Sequence, residues 1–120
     1  MKRIILVDDC RLTLAMGSEI LADAGYEVIT AESGMAANQF LFRKPRPHLI
    51  LVDVEMPMVA GDQFVGLLKG EPCLQGVPII LMSHKEEPEM KRLCSESGAD
   101  GYILKPLRTP VLLQLLAQYP

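Results

Sequence analysis

The chain has 120 residues, 49 % hydrophobic and 22 % charged, a length that suits one domain around one core and a composition that excludes a disordered or collagen-like chain. Its formal charge of −3 carries no basic footprint for nucleic acid, so a DNA contact would have to come from another domain or a partner. The apolar run Ile4 to Val7 stops at Asp8-Asp9, too short for a secretory or membrane segment, and Cys10, Cys73 and Cys94 lack the spacing of a disulfide framework or zinc site; the chain reads as a cytoplasmic domain with free thiols.

In chain order, Ile4–Val7 predicts a first strand. A helical stripe of Leu12, Leu14, Ala15, Ile20, Leu21 and Ala24 follows, stopped by Gly25 where a left-handed residue ends a helix. Glu27–Ala31 predicts the second strand, and Ser33 a cap for a second helix that carries Ala37, Phe40 and Leu41 before Pro45 and Pro47 break it. His48–Val52 is the third strand; Asp62 is the expected cap of a helix carrying Phe64, Val65, Leu67 and Leu68. Val77–Met82 predicts the fourth strand, and Glu86–Ser97 a helix with few apolar residues, closed by Gly98. Tyr102–Leu104 ends the set of strands, with Thr109 expected to cap a last helix that has Pro110 at its first position. The strands mostly lack period-2 alternation, as buried parallel strands do, and no repeat or linker interrupts them. The expectation is one α/β domain over residues 1–120, a doubly wound parallel sheet with helices on both faces.

Ligands bind such sheets outside the carboxyl ends of the strands, where strand order reverses. The first run ends in Asp8-Asp9, the third in Asp53, the fourth in Ser83 and the fifth in Lys105. Taken singly, each has an ordinary structural use: Asp9 as a helix cap, Asp53 as a turn residue before Pro57, Ser83 as another cap, Lys105 as a solvated charge. Together they form a constellation. Carboxylates crowded on one edge repel unless a cation is bound, and oxygen-only ligands suit Mg²⁺. A lysine and a hydroxyl are the groups that hold phosphoryl oxygens, and a carboxylate is a competent nucleophile toward phosphorus.

With these residues assembled, the sequence resembles the receiver domain of response regulators, of the CheY-like superfamily, across essentially its whole length. The resemblance lies in the acidic pair Asp8-Asp9, in Asp53-Val54-Glu55-Met56-Pro57 followed by Gly61, in Ser83, and in Lys105-Pro106 after Gly98-Ala99-Asp100-Gly101-Tyr102. It implies a flavodoxin-like sheet of order 2-1-3-4-5 and phosphorylation of Asp53 from a phosphohistidine on a sensor histidine kinase or histidine phosphotransfer protein. It further implies Mg²⁺ held by Asp8, Asp9, Asp53 and the backbone carbonyl of Glu55, with Ser83 and Lys105 on the phosphoryl oxygens. A cis bond from Lys105 to Pro106 would aim the lysine inward. Tyr102 would be the switch aromatic, moving with Ser83, and the face of helix 4, strand 5 and helix 5 the surface that responds, for partners or for a homodimer. The resemblance implies a signalling switch and not a turnover enzyme, with no membrane segment and no nucleic-acid contact of its own.

Some positions depart from the commoner pattern. Ser83 stands where threonine is frequent, His84 where a small residue is usual, and Leu107 where phenylalanine is common. His84, at the mouth of the site, is a candidate barrier to phosphodonor or hydrolytic water, and Glu55 a charge that affects phosphoryl lifetime. A phosphatase of the haloacid dehalogenase type is disfavoured because Asp8-Asp9-Cys10 lacks its Asp-x-Asp pattern. A dinucleotide-binding domain is disfavoured because no glycine-rich loop follows the first strand. A receiver-like interaction module that is never phosphorylated is the remaining rival, and the intact acidic set argues against it.

Overall fold

The computed structural model describes residues 1–56 and 59–120. Its elements alternate as β1 (Arg3–Val7), α1 (Arg11–Asp23), β2 (Glu27–Ala31), α2 (Gly34–Leu41), β3 (Leu49–Asp53), α3 (Gly61–Lys69), β4 (Ile79–Ser83), α4 (Glu87–Ser97), β5 (Gly101–Leu104) and α5 (Thr109–Ala117), with a short 3₁₀ turn at Pro72–Leu74. The strands form one parallel sheet in the order β2-β1-β3-β4-β5, as the resemblance implied.

Successive side chains on a strand point to opposite faces, and here both faces are buried. Ile5, Val7, Ile50, Val52, Ile79 and Leu81 face the cluster under α2, α3 and α4. Ile4, Leu6, Leu49, Leu51, Ile80 and Met82 face the cluster under α1 and α5. That is why the strand sequences read as unbroken apolar runs. Each such Ile or Leu, with none of its surface left in water, contributes about 1.5–3 kcal/mol relative to an exposed one.

Local chemistry sets the boundaries, and in several places moves them from where the sequence suggested. The fourth strand starts at Ile79 and not Val77, because Pro78 has no N–H for the ladder, although its carbonyl accepts from Ile50 N. The third starts at Leu49 and runs through Asp53 itself. The cap of α3 is Ala60, and Asp62 instead sits in the first turn, where its charge meets the helix dipole favourably. Arg108 precedes α5, so Thr109 is its first helical residue and Pro110 the second. On α1 the buried stripe narrows to Leu14, Gly17 and Leu21, and Leu12 is exposed. Ser33 does cap α2, accepting from Ala36 N at 3.0 Å. Gly25 follows α1 in the left-handed region (φ 96°), with Gly25 N donating to Ala22 O and Tyr26 N to Leu21 O, the paired bonds of a glycine-closed helix end. No helix among the described residues is long and apolar enough to cross a membrane.

Candidate functional site

The strand order reverses between β1 and β3, so the loops leaving these two strands diverge and open a crevice. Asp8 and Asp9 leave β1 at this crevice, and Asp53 is the last residue of β3. Ligand oxygens of Asp8, Asp9 and Asp53 all lie within 4.8 Å of one another. Asp8 is fully buried, Asp53 is nearly so, and Asp9 is exposed. Asp9 does not cap α1; the residue before that helix is Cys10, and Asp8 Oδ1 accepts from Cys10 N at 2.8 Å.

Lys105, just beyond β5, brings its ammonium across the edge. Nζ lies 2.9 Å from Asp53 Oδ1 and 2.5 Å from Asp8 Oδ2, with only 6 % of the lysine side chain exposed. The Lys105–Pro106 peptide bond is cis, and Lys105 N donates to Ser83 O at 2.9 Å, tying the end of β5 to that of β4. Ser83 is buried, and its Oγ accepts from Lys85 N at 3.0 Å. Burial pushes the Asp53 carboxyl above its ordinary pKa; its bond to Lys105 opposes that shift, and the negative charges of Asp8 and Asp9 add to it. For Lys105, burial alone would lower the pKa, but the bonds to Asp8 and Asp53 outweigh it and hold the ammonium above its usual value.

Three carboxylates against one ammonium leave two uncompensated negative charges at this edge. Asp8 Oδ2 is buried and meets the Lys105 ammonium, with no other donor on it among the described residues. An all-oxygen donor set with that excess charge and an under-satisfied buried oxygen fits a hard divalent cation such as Mg²⁺.

Gly61 completes the floor. A Cβ there would stand 1.9 Å from the Asp53 carbonyl oxygen, and Gly61 N donates to Val54 O at 2.8 Å, so the start of α3 is pressed against the backbone of the central aspartate. The sequence marks Gly61 only as part of a motif; its role as the surface beneath Asp53 is tertiary. Glu55 does not join the carboxylate cluster. Its side chain is exposed and pairs at 3.5 Å with Lys85, which also lies 3.7 Å from Glu89. Lys85 thus bridges the loops after β3 and β4 at the mouth of the site. The sequence carries no clear signal for it, because Lys85 lies before α4 and its pairing with Glu55 joins two separate loops. His84 is exposed beside Ser83. Tyr102 is half-buried on β5, packed against the cluster under α4. Pro57 of the motif lies outside the described residues.

The response regulator receiver domain family matches this chain over residues 4–117. The chain belongs to that family, the receivers of two-component signal transduction. It is 31 % identical to the two-component response regulator ORR3 of Oryza sativa subsp. indica over 88 % of this chain and 80 % of that one. It is 28 % identical to the polar-differentiation response regulator DivK of Brucella anthropi over 98 % of this chain and 95 % of that one. Among solved structures, the chemotaxis protein CheY4 of Vibrio cholerae superposes with a TM-score of 0.91 at 33 % identity, covering 100 % of this chain and 99 % of that one.

Proposed function

We propose that residues 1–120 form one receiver domain that works as a phosphorylation switch, in which Asp53 accepts a phosphoryl group from a phosphohistidine on a sensor histidine kinase or a histidine phosphotransfer protein. The observation that carries this reading is the buried Asp8–Lys105–Asp53 arrangement, with Asp9 completing the acidic set at the strand-order reversal. Asp53 Oδ attacks phosphorus, the P–N bond to the donor histidine breaks, and the imidazole leaves with the electron pair. Asp8, Asp9 and Asp53, with the Glu55 carbonyl, are the residues that would hold Mg²⁺, which when bound neutralises charge on the transferring oxygens and keeps Asp53 ionised. Lys105 and Ser83 hold those oxygens, Lys105 as a point charge already within reach of Asp53 and Ser83 as a hydroxyl donor.

Once phosphate occupies the pocket, it competes with Asp8 and Asp53 for Lys105 and draws the Ser83 hydroxyl as a donor, while Ser83 Oγ can still accept from the Lys85 amide. Through the link from Lys105 N to Ser83 O, that competition biases the face of α4, β5 and α5, with Tyr102 as its mobile aromatic. The same face is the proposed homodimer surface. The chain acts as a phosphoacceptor and not as a turnover catalyst, in the cytoplasm where such kinases present their phosphohistidine, and without touching nucleic acid itself. His84 and the Lys85–Glu55 pair stand at the mouth and set access of donor and water; equal phosphorylation and hydrolysis rates in His84→Ala, or equal phosphoryl half-lives in Glu55→Gln, would remove those roles.

Incubating the purified chain with a small-molecule phosphodonor, with Mg²⁺ or with chelator, and weighing the intact protein tests the proposal. A single Mg²⁺-dependent phosphoryl adduct, absent in Asp53→Asn, is the expected result. A folded parent chain that takes no phosphate would instead be a receiver-fold interaction module.

A further inference from the structure

The opposite edge of the sheet carries a second concave surface, a groove of about 530 Å³ at the amino ends of β1, β3 and β4. Lys2, Arg3 and Arg46 are the cations of its lining, and no aspartate or glutamate lines it among the described residues. Both guanidinium groups are held by groups on the rim. Arg3 donates to Glu27 Oε1 at 2.9 and 3.2 Å and to Pro45 O at 3.2 Å. Arg46 donates to Gln75 O and lies over the Gly76 turn. Glu27 offsets the charge of Arg3, so the excess positive charge comes from Lys2 and Arg46, reinforced by exposed Arg43 and Lys44 in the same loop.

The walls between these cations are apolar and stiff. Pro47 and Val77 are buried, and Pro78 and Tyr119 complete the lining. His48 stacks on Tyr26, ring centroids 6.1 Å apart, and its Nε2 lies 2.7 Å from Tyr119 O, fixing the last turn of the chain against the groove. With the Arg3 fork taken by Glu27, the exposed Arg46 guanidinium, held in place by Gln75 O, is the one that can meet an incoming carboxylate, and its fixed position lowers the ordering cost of binding.

We propose that this groove docks an acidic peptide segment of a partner protein, with carboxylates on Lys2 and Arg46 and intervening apolar side chains against Pro47, Pro78 and Tyr119. Nucleic acid fits less well: polyanion binding sums many phosphate contacts along a basic stripe, whereas here a few cations surround one apolar-walled groove on a chain of net charge −3. The groove lies at the end of the sheet away from Asp53, so a segment held there leaves the acidic pocket accessible, and docking is independent of phosphorylation.

An acetylated peptide of alternating glutamate and leucine, titrated into the isotope-labelled intact chain and followed by backbone amide NMR, tests this. Saturable binding is expected, with shifts confined to Lys2, Arg3, Arg46, His48 and Val77. The double variant Lys2→Glu/Arg46→Glu is expected to bind roughly tenfold more weakly or worse, with Mg²⁺-dependent phosphorylation unchanged. Lys2→Gln/Arg46→Gln, expected to weaken binding less, replaces it if the reversal fails to fold. No saturable binding by the parent chain, shifts centred elsewhere, or undiminished affinity in a folded variant overturns the proposal. Tighter binding of duplex DNA than of the peptide at the same salt, lost in the same variants, also overturns it and assigns the groove to nucleic acid.

Discussion

The two edges of the sheet handle charge in opposite ways. At the carboxyl edge, Asp8, Asp53 and Lys105 are withdrawn from water, so every charge there depends on its neighbours and burial pushes Asp53 toward its neutral form. At the amino edge, Lys2, Arg43, Lys44 and Arg46 are exposed, and Arg3 and Arg46 donate to the backbone carbonyls of Pro45 and Gln75. Desolvated charges respond strongly when one partner changes, whereas solvated ones are screened and nearly independent. A switch belongs at the first edge, and a docking surface insensitive to the switch fits the second.

Lys105→Ala tests this contrast most severely. It leaves two buried carboxylates facing each other, and urea unfolding at neutral pH without Mg²⁺ should show a loss of about 3–5 kcal/mol. A loss no larger than that of a surface substitution would mean that water already screens this edge. Next in size is Gly61→Ala. Its Cβ must displace the Asp53 carbonyl, costing about 1–3 kcal/mol in thermal unfolding and reducing the phosphoryl adduct seen by mass spectrometry.

Asp53→Asn should act in the opposite direction and stabilise the Mg²⁺-free chain, with a gain smaller than either loss. Because the folded-state pKa of Asp53 is raised, the folded chain binds the proton longer than the unfolded chain does. Stability is therefore lost as pH rises from the unfolded pKa through the folded one. The advantage of asparagine should be full at neutral pH and vanish in acid below both values, which melting curves across that range would show. A variant that melts below its parent at neutral pH would contradict the strain inferred at this edge. Lys85→Met removes two surface pairs, to Glu55 and Glu89, each worth about 0–1 kcal/mol, so its effect should appear in phosphoryl half-life and only slightly in melting temperature. Arg46→Ala, at the amino edge, should change stability by less than about 0.5 kcal/mol; a larger loss would make that edge structural.

The α/β class was legible because a doubly covered parallel sheet demands unbroken apolar strands, and Ile4–Val7, Leu49–Val52 and Ile79–Met82 are such runs. Asp8, Asp9, Asp53 and Ser83 were legible as a group with Lys105 because the first four follow or end those runs and Lys105 follows Tyr102–Leu104, and parallel strands deliver their ends to a common edge. Gly25 and Ser33 could be read correctly because a left-handed turn and a side-chain cap are local events. Asp62 and Thr109 were misread for the complementary reason: the residue that caps a helix depends on where the preceding loop is anchored, here by Gly61 against Asp53 and by the segment following Lys105.

Net charge concealed the basic groove. A sum over the chain cannot show that Lys2, Arg3 and Arg46, separated along the sequence by a strand–helix–strand–helix unit, meet at one edge. Local propensity and hydrophobic period thus determined the elements, their order and the residues that leave each strand, since these depend on neighbours within a few positions. Tertiary structure alone decided that Lys105 lies between Asp8 and Asp53, that Gly61 must lack a side chain, and that Lys85 reaches Glu55. Those distances arise only when segments remote in sequence are packed together and stripped of water, which is also what gives their charges their strength.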